Sequence, residues 1–250
     1  MHALIIEAGN SKVVVARWHG TPTPGPESLT RLREDATPIG SDQKSYWRDT
    51  LKQLFRQEGE PLVFGASVVP EISTLLQATF PNCVLIDHTL DFPFGLKVEE
   101  PDTVGADRFC NVAAAVRKGY RDALVVDLGT ATTFDLLLAG DFTGGLIAPG
   151  MAFAARKLGE EAARLIPVPF ESCPLEVGKN TEAAMRVGAY HVAVRGVLAT
   201  AAALLDQYGE RPVTLTGGLA HFLDVPGWDL QPDWTLSGAA YLGALAVTRR

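Results

Sequence analysis

The stretch Ala123–Asp135, ALVVDLGTATTFD, decides how the chain is to be read. Ala123–Val126 is a short apolar run rich in β-branched residues, the pattern of a buried strand. It closes on Asp127 and a Leu-Gly turn, and Thr130, Thr132 and Thr133 follow before a second apolar run, Phe134–Leu138. Gly129 removes a side chain where a ligand could approach the backbone. Hydroxyls and turn N–H groups there can donate to phosphate oxygens, and Asp127 can hold a cation or a metal-bound water. The same residues also suit a plain hairpin whose threonines serve β propensity.

The chain opens in the same way. His2–Ile6 and Val13–Trp18 read as strands, and between them stands Glu7-Ala8-Gly9-Asn10-Ser11-Lys12. Two turns of the form acid-x-Gly-polar, one early and one late, suggest two related halves facing each other across a cleft, each donating a phosphate loop. That is the architecture of the actin-like ATPases.

Between and beyond these turns, strands alternate with helices, which indicates an α/β fold. Thr21–Ser41, rich in Pro, Gly, Thr and charge, reads as a loop or inserted segment. Trp47, Leu51, Leu54 and Phe55 recur at helical spacing within Lys44–Gln57. Pro61–Val69 contains a strand, Pro70 starts a helix to about Thr79, and Cys83–Ile86 is a further strand. Gly144–Gly150 reads as a glycine-rich connection into a helix over Met151–Leu165. Gly178-Lys179-Asn180-Thr181 resembles a Walker A loop only superficially, because the GxxxxGK[ST] spacing is missing. Asn180 or Thr181 is more simply the cap of a long helix whose apolar positions Ala183, Val187, Tyr190, Val194, Val197, Ala201 and Leu204 follow spacings of three and four. Val213–Thr216 is a last strand, ending in Gly217-Gly218, where a flat adenine or ribose could lie against the backbone. Leu236–Val247, rich in Ala and Gly, fits a closely packed helix.

Gly105-Ala106-Asp107-Arg108 begins an apolar helix reaching about Lys118. Structurally, Asp107 complements the positive end of the helix dipole and Arg108 is solvated. Functionally, the carboxylate stands beside a substrate hydroxyl, Gly105 gives close access and Arg108 binds an anion bidentately.

Composition bounds these readings. With 250 residues, 47% hydrophobic and 20% charged, a packed core is expected in one large or two ordinary domains. A net charge of −7 argues against a broad nucleic-acid surface. Cys83, Cys110 and Cys173 form no CxxC pair, which suits the cytoplasm, and the five histidines show no metal-ligand spacing. No basic region followed by an apolar run marks a signal peptide. The longest uncharged apolar runs, near Gly196–Leu205 and Leu236–Val247, fall short of the roughly 20 residues that span a bilayer, so no membrane partner is expected.

Taken in order, EAGNSK, GASVVP, GADRFCNVAAA, VVDLGTATTFD, GGLIAPG, GKNTEAAMRVGAY and LTGGLA resemble the type III pantothenate kinases, over most of the chain except Thr21–Ser41 and its surroundings. GADR followed by DLGTATT is the most specific part. The resemblance implies two ribonuclease-H-like halves with an interdomain cleft, expected as 1–118 with the first phosphate loop and 119–250 with the second and the adenosine motif. It implies a cytoplasmic homodimer that uses ATP to phosphorylate pantothenate, the first step of coenzyme A synthesis. By resemblance, Asp107 is the catalytic base and Gly105 and Arg108 contact pantothenate. Thr181 reaches the pantothenate pocket of the neighbouring subunit. Gly9, Asn10, Ser11 and Lys12 form the first phosphate loop, while Gly129, Thr130, Thr132 and Thr133 form the second. Gly217 and Gly218 match the adenosine motif. The implied cations are Mg²⁺ at Glu7 and a monovalent ion, K⁺ or NH₄⁺, at Asp127.

One departure stands out. The family's first loop opens with Asp, and here the residue is Glu7, one methylene longer. Because Mg²⁺ demands near-ideal octahedral geometry, Glu7 motivates an alternative: a non-catalytic, nucleotide-binding relative acting as regulator or scaffold. A kinase for another small hydroxylated acid or sugar would use the same loops.

Overall fold

His2–Ala8 forms β1, in which Ala3–Ile6 are fully buried. A strand buried on both faces belongs inside a covered sheet, and β1 does lie there. The computed structural model describes residues 1–22, 27–38, 40–161 and 165–249. β2 (Lys12–His19) pairs antiparallel with β1, and β3 (Ser28–Ala36) antiparallel with β2. On the other side β4 (Leu62–Ser67) runs parallel to β1, and β5 (Val84–Leu85) parallel to β4. The order is β3-β2-β1-β4-β5.

Two helices cover one face. α1 (Ser41–Gln57) and α2 (Pro70–Thr79) bring Trp47, Leu51, Ile72 and Leu76 into one core with Leu4, Ile6, Val13 and Val15. Side chains alternate along a strand, so Ala3 and Ile5 need a second cover. α3 (Ala106–Arg117) and α6 (Trp234–Thr248) pack on each other and against β4, and α6 also meets β1. Their union is fastened at Asn111, which is fully buried. Trp234 Nε1 donates to its carbonyl at 2.9 Å, and Thr235 Oγ1 to its Oδ1 at 2.8 Å, so a buried amide that would otherwise be costly is satisfied.

Backbone packing divides the chain into two units. The first holds Met1–Arg121, Leu137–Thr143 and Asp233–Arg250; the second holds Asp122–Leu136 and Gly144–Pro232. Residues 137–143 and the segment carrying α6 pack with the N-terminal part. In the first unit β6 (Gly95–Leu96) pairs parallel with Asp141 and Phe142. The second sheet runs β11-β10-β7-β8-β9-β6, with β7 Ala123–Leu128, β8 Ala131–Leu138, β9 Asp141–Pro149, β10 Val213–Thr216 and β11 Asp229–Leu230. β10 is parallel to both β7 and β11. α4 (Met151–Glu161) and α5 (Thr181–Tyr208) pack together in the second unit.

Most expected elements are present, and three differ. The segment expected as a loop, Thr21–Ser41, contains β3; residues 23–26 and 39 lie outside the described residues. Its charged residues suit the sheet edge they occupy, where charge opposes pairing with another chain. The expected connection Gly144–Gly150 is mostly β9, and Gly145 lies so close to the Phe134 carbonyl that a Cβ would collide with it. The helix expected over Met151–Leu165 is described to Glu161, with 162–164 outside the described residues. In α5, Val197, Ala201 and Leu204 are buried as expected, whereas Ala183, Val187, Tyr190 and Val194 are half-buried. By length and composition alone α5 is apolar enough to cross a membrane, and 17% of its most apolar window is buried within the protein.

Candidate active site

In each unit the candidate residues gather at the C-terminal ends of parallel strands, where open α/β sheets place their ligands. In the first unit these are the ends of β1 and β4. Ala8 and Ser67 are paired there, and Val68 N–H donates to the Ala8 carbonyl at 3.0 Å. The loop Gly9–Ser11 follows β1 and is closed by Gly9 N–H donating to the Lys12 carbonyl at 2.9 Å. Asn10 and Ser11 are exposed. The Lys12 ammonium lies 3.1 Å from Glu34 Oε1.

The Gly105–Arg108 segment reaches the same place. Val68 Cγ1 lies 3.2 Å from where a Cβ on Gly105 would stand. GASVVP, which carried no role in the sequence, therefore forms the floor under the helix start. Gly105 precedes α3 with φ −62° and ψ 143°, a conformation open to any residue. What requires glycine is the Asp107 carboxylate, whose Oδ1 occupies the space a Cβ would fill. Asp107 Oδ1 also accepts the Arg108 N–H at 2.8 Å.

Burial raises the Asp107 carboxyl above its ordinary value, and the adjacent Arg108 N–H and guanidinium oppose that rise. A carboxylate near a helix N-terminus whose pKa is raised by burial suits proton acceptance from an alcohol. The Arg108 guanidinium carbon stands 5.4 Å from the Phe142 ring centroid, a cation–π contact that holds it on one side of the helix start.

Glu7 is the next-to-last residue of β1 and is half-buried. Burial raises the thiol of Cys110 well above its ordinary value, and the charges of Glu7 and Asp107 add to that rise. Among the described residues no three His, Cys, Asp or Glu side chains form a ready metal cage. That donor set does not fit a resident all-protein Mg²⁺ site. It fits Mg²⁺ held by one carboxylate and the phosphates of a nucleotide, the usual arrangement.

In the second unit the site stands at the ends of β7 and β10, where Asp127 pairs with Thr216. Gly217 has φ +90°, a conformation favouring glycine, and a Cβ there would strike Asp127 Oδ1 and the Leu128 N, the latter at 2.6 Å. Leu219 N–H donates to the Leu128 carbonyl at 3.0 Å. Asp127, Gly129 and the Gly217-Gly218 turn are thus joined at one sheet edge, with Thr130 and Gly218 exposed.

Two of the expected phosphate-loop hydroxyls are placed elsewhere. Thr132 is buried and lines an apolar groove of about 510 Å³ with Phe134, Met151, Ala155, Val192 and Gly196. Thr133 is buried too, and its Oγ1 donates to Asp135 Oδ2 at 3.3 Å. Both lie within β8, where alternate residues take opposite faces; the DLGTATT string does not show that the strand resumes at Ala131. Thr181 is exposed at the first turn of α5, which Asn180 caps by accepting the Ala183 N–H at 2.8 Å.

The chain matches the family model of type III pantothenate kinase over residues 3–203. It is 34% identical to the type III pantothenate kinase of Thermomicrobium roseum, covering 94% of each chain. It is likewise 34% identical to that of Acidiphilium cryptum, over 96% of this chain and 93% of the relative. Two solved structures share the fold at low identity. A protein from Campylobacter jejuni described as a Baf family transcriptional activator has a TM-score of 0.54 at 18% identity, covering 96% of each chain. The ethanolamine utilization protein EutJ of Carboxydothermus hydrogenoformans has a TM-score of 0.55 at 13% identity, covering 98% of this chain and 90% of its own. The mixed α/β fold is thus shared with these two proteins. With its family model matched over most of the chain and relatives above 30% identity along nearly its whole length, this protein belongs to the type III pantothenate kinase family.

Proposed function

We propose that this chain transfers the γ-phosphoryl group of ATP to the primary hydroxyl of pantothenate, with Asp107 as the base. The observation that carries this reading is the Asp107 carboxylate, raised by burial and seated over Gly105 at the sheet edge that also bears the 9–12 loop. As the pantothenate oxygen attacks the γ-phosphorus, its O–H bond breaks and the proton passes to Asp107. The new O–P bond forms as the bond to the β-phosphate oxygen breaks, and ADP leaves. Phosphoryl transfer asks little covalent work of the protein and much positioning and charge neutralisation. Gly105 and Arg108 would hold pantothenate. Gly9–Lys12 would bind ATP phosphates, and Gly129, Thr130 and Gly217-Gly218 would take the roles of a second phosphate loop and an adenosine turn. Glu7 would hold Mg²⁺ and Asp127 a monovalent cation, which together offset phosphate charge that an acidic chain cannot. Asp107→Asn tests the base: turnover should fall about 10²-fold or more, and full turnover would overturn the assignment.

We also propose a cytoplasmic homodimer. The dimer's support is the apolar groove of the second unit, where Leu158 is 50% and Val192 74% exposed. Thr181 begins the helix that carries this face, consistent with a role in a second copy's pocket.

A further inference from the structure

We propose that Thr37 is a positioning residue for the first phosphate loop. Thr37 follows directly on β3 and is 8% exposed. Its Oγ1 donates to the Gly9 carbonyl at 2.6 Å, and its backbone N–H donates to the Ser11 carbonyl at 3.1 Å. One residue thereby fixes two carbonyls of a four-residue loop. The peptide unit is planar and trans, and the described backbone has no cis bond. Holding the Gly9 carbonyl toward Thr37 therefore turns the Asn10 N–H away from it. The loop's own Gly9–Lys12 bond does not set that plane. β2 pairs Lys12 with Ala36, the residue before Thr37, so the staple keeps its place through the sheet register. A glycine-containing loop would otherwise sample many conformations, and ordering it on each ATP encounter would weaken binding.

This inference rests on the reading of residues 9–12 as a phosphate loop, and the experiment separates the two. Steady-state constants for ATP and pantothenate are measured for Thr37→Val, Thr37→Ser and Lys12→Ala. Thr37→Val keeps shape and the backbone bond but removes the hydroxyl, and loss of one buried hydrogen bond should raise the KM for ATP about fivefold. The KM for pantothenate should stay unchanged, and Thr37→Ser should restore the ATP value. A wild-type ATP KM in Thr37→Val, or equal rises in both constants, overturns the proposal. Lys12→Ala with an unchanged ATP KM overturns the phosphate-loop reading itself. If Lys12→Ala raises that constant and Thr37→Val does not, only the staple fails. Should Thr37→Val not fold, Thr37→Ser against Thr37→Ala makes the same comparison, and equal ATP KM values for that pair overturn the proposal.

Discussion

The Asp107 carboxylate occupies the space that a side chain on Gly105 would need. The two residues are thus one device: glycine at 105 lets the carboxylate fold back over the helix start. Gly105→Ala costs no backbone strain at φ −62°, so its effect reports the carboxylate's position. A displacement of about 1 Å is worth about 10²-fold in turnover. We predict that loss in kcat for Gly105→Ala with folding intact, read by steady-state kinetics beside circular dichroism.

The raised Asp107 pKa sets a pH dependence. The proposed base works deprotonated, so kcat/KM should fall as pH drops through the raised folded value. Stability carries the opposite sign. The folded state binds the proton more tightly than the unfolded one, so stability falls as pH rises from the ordinary value through the raised one. Asp107→Asn removes that cost, and at neutral pH it should melt higher while losing turnover, by about 2–4 °C per kcal/mol recovered. A lower melting temperature would contradict the burial argument.

Glu7 should act through the metal. Glu7→Gln should raise the Mg²⁺ concentration for half-maximal activity, because a single carboxylate completes a site otherwise made by nucleotide oxygens. Titration of activity against Mg²⁺ at fixed ATP checks this. An unchanged Mg²⁺ dependence would remove Glu7 from the site.

At the second sheet edge, Gly217→Ala meets both a positive φ and the Asp127 carboxylate. Strain of this kind costs roughly 1–3 kcal/mol. We expect the KM for ATP and the response to K⁺ to worsen together, since the turn proposed to hold adenosine and the carboxylate proposed to hold the cation are in contact. Worsening of one without the other would separate them.

Much of this was legible in the sequence because turns and strand ends announce themselves. The acid-x-Gly turns after β1 and β7, the Pro70 helix start and the Asn180 cap are local signals, and the structure repeats them. β3 was not legible, because an edge strand carrying Arg31, Arg33, Glu34 and Asp35 has the composition of a loop. Nor was the fate of Thr132 and Thr133, since only the resumption of β8 at Ala131 decides which hydroxyls turn inward. Thr37 left no trace because its role depends on register with Lys12, a property of the paired sheet.

The face around Val192 predicts the assembly. A charge placed there opposes burial against a like copy, so Val192→Glu should shift sedimentation from dimer to monomer. Because Thr181 is read as completing a neighbour's pocket, the monomer should lose pantothenate-dependent turnover. A wild-type protein that sediments as a monomer with full activity would contradict this.

The most direct test of the account is ADP release by the purified protein with ATP and Mg²⁺, with and without pantothenate and K⁺. The account predicts turnover that requires pantothenate and rises with K⁺. A folded, ATP-binding protein that releases no ADP with pantothenate, and stays inactive as Glu7→Asp, would contradict it.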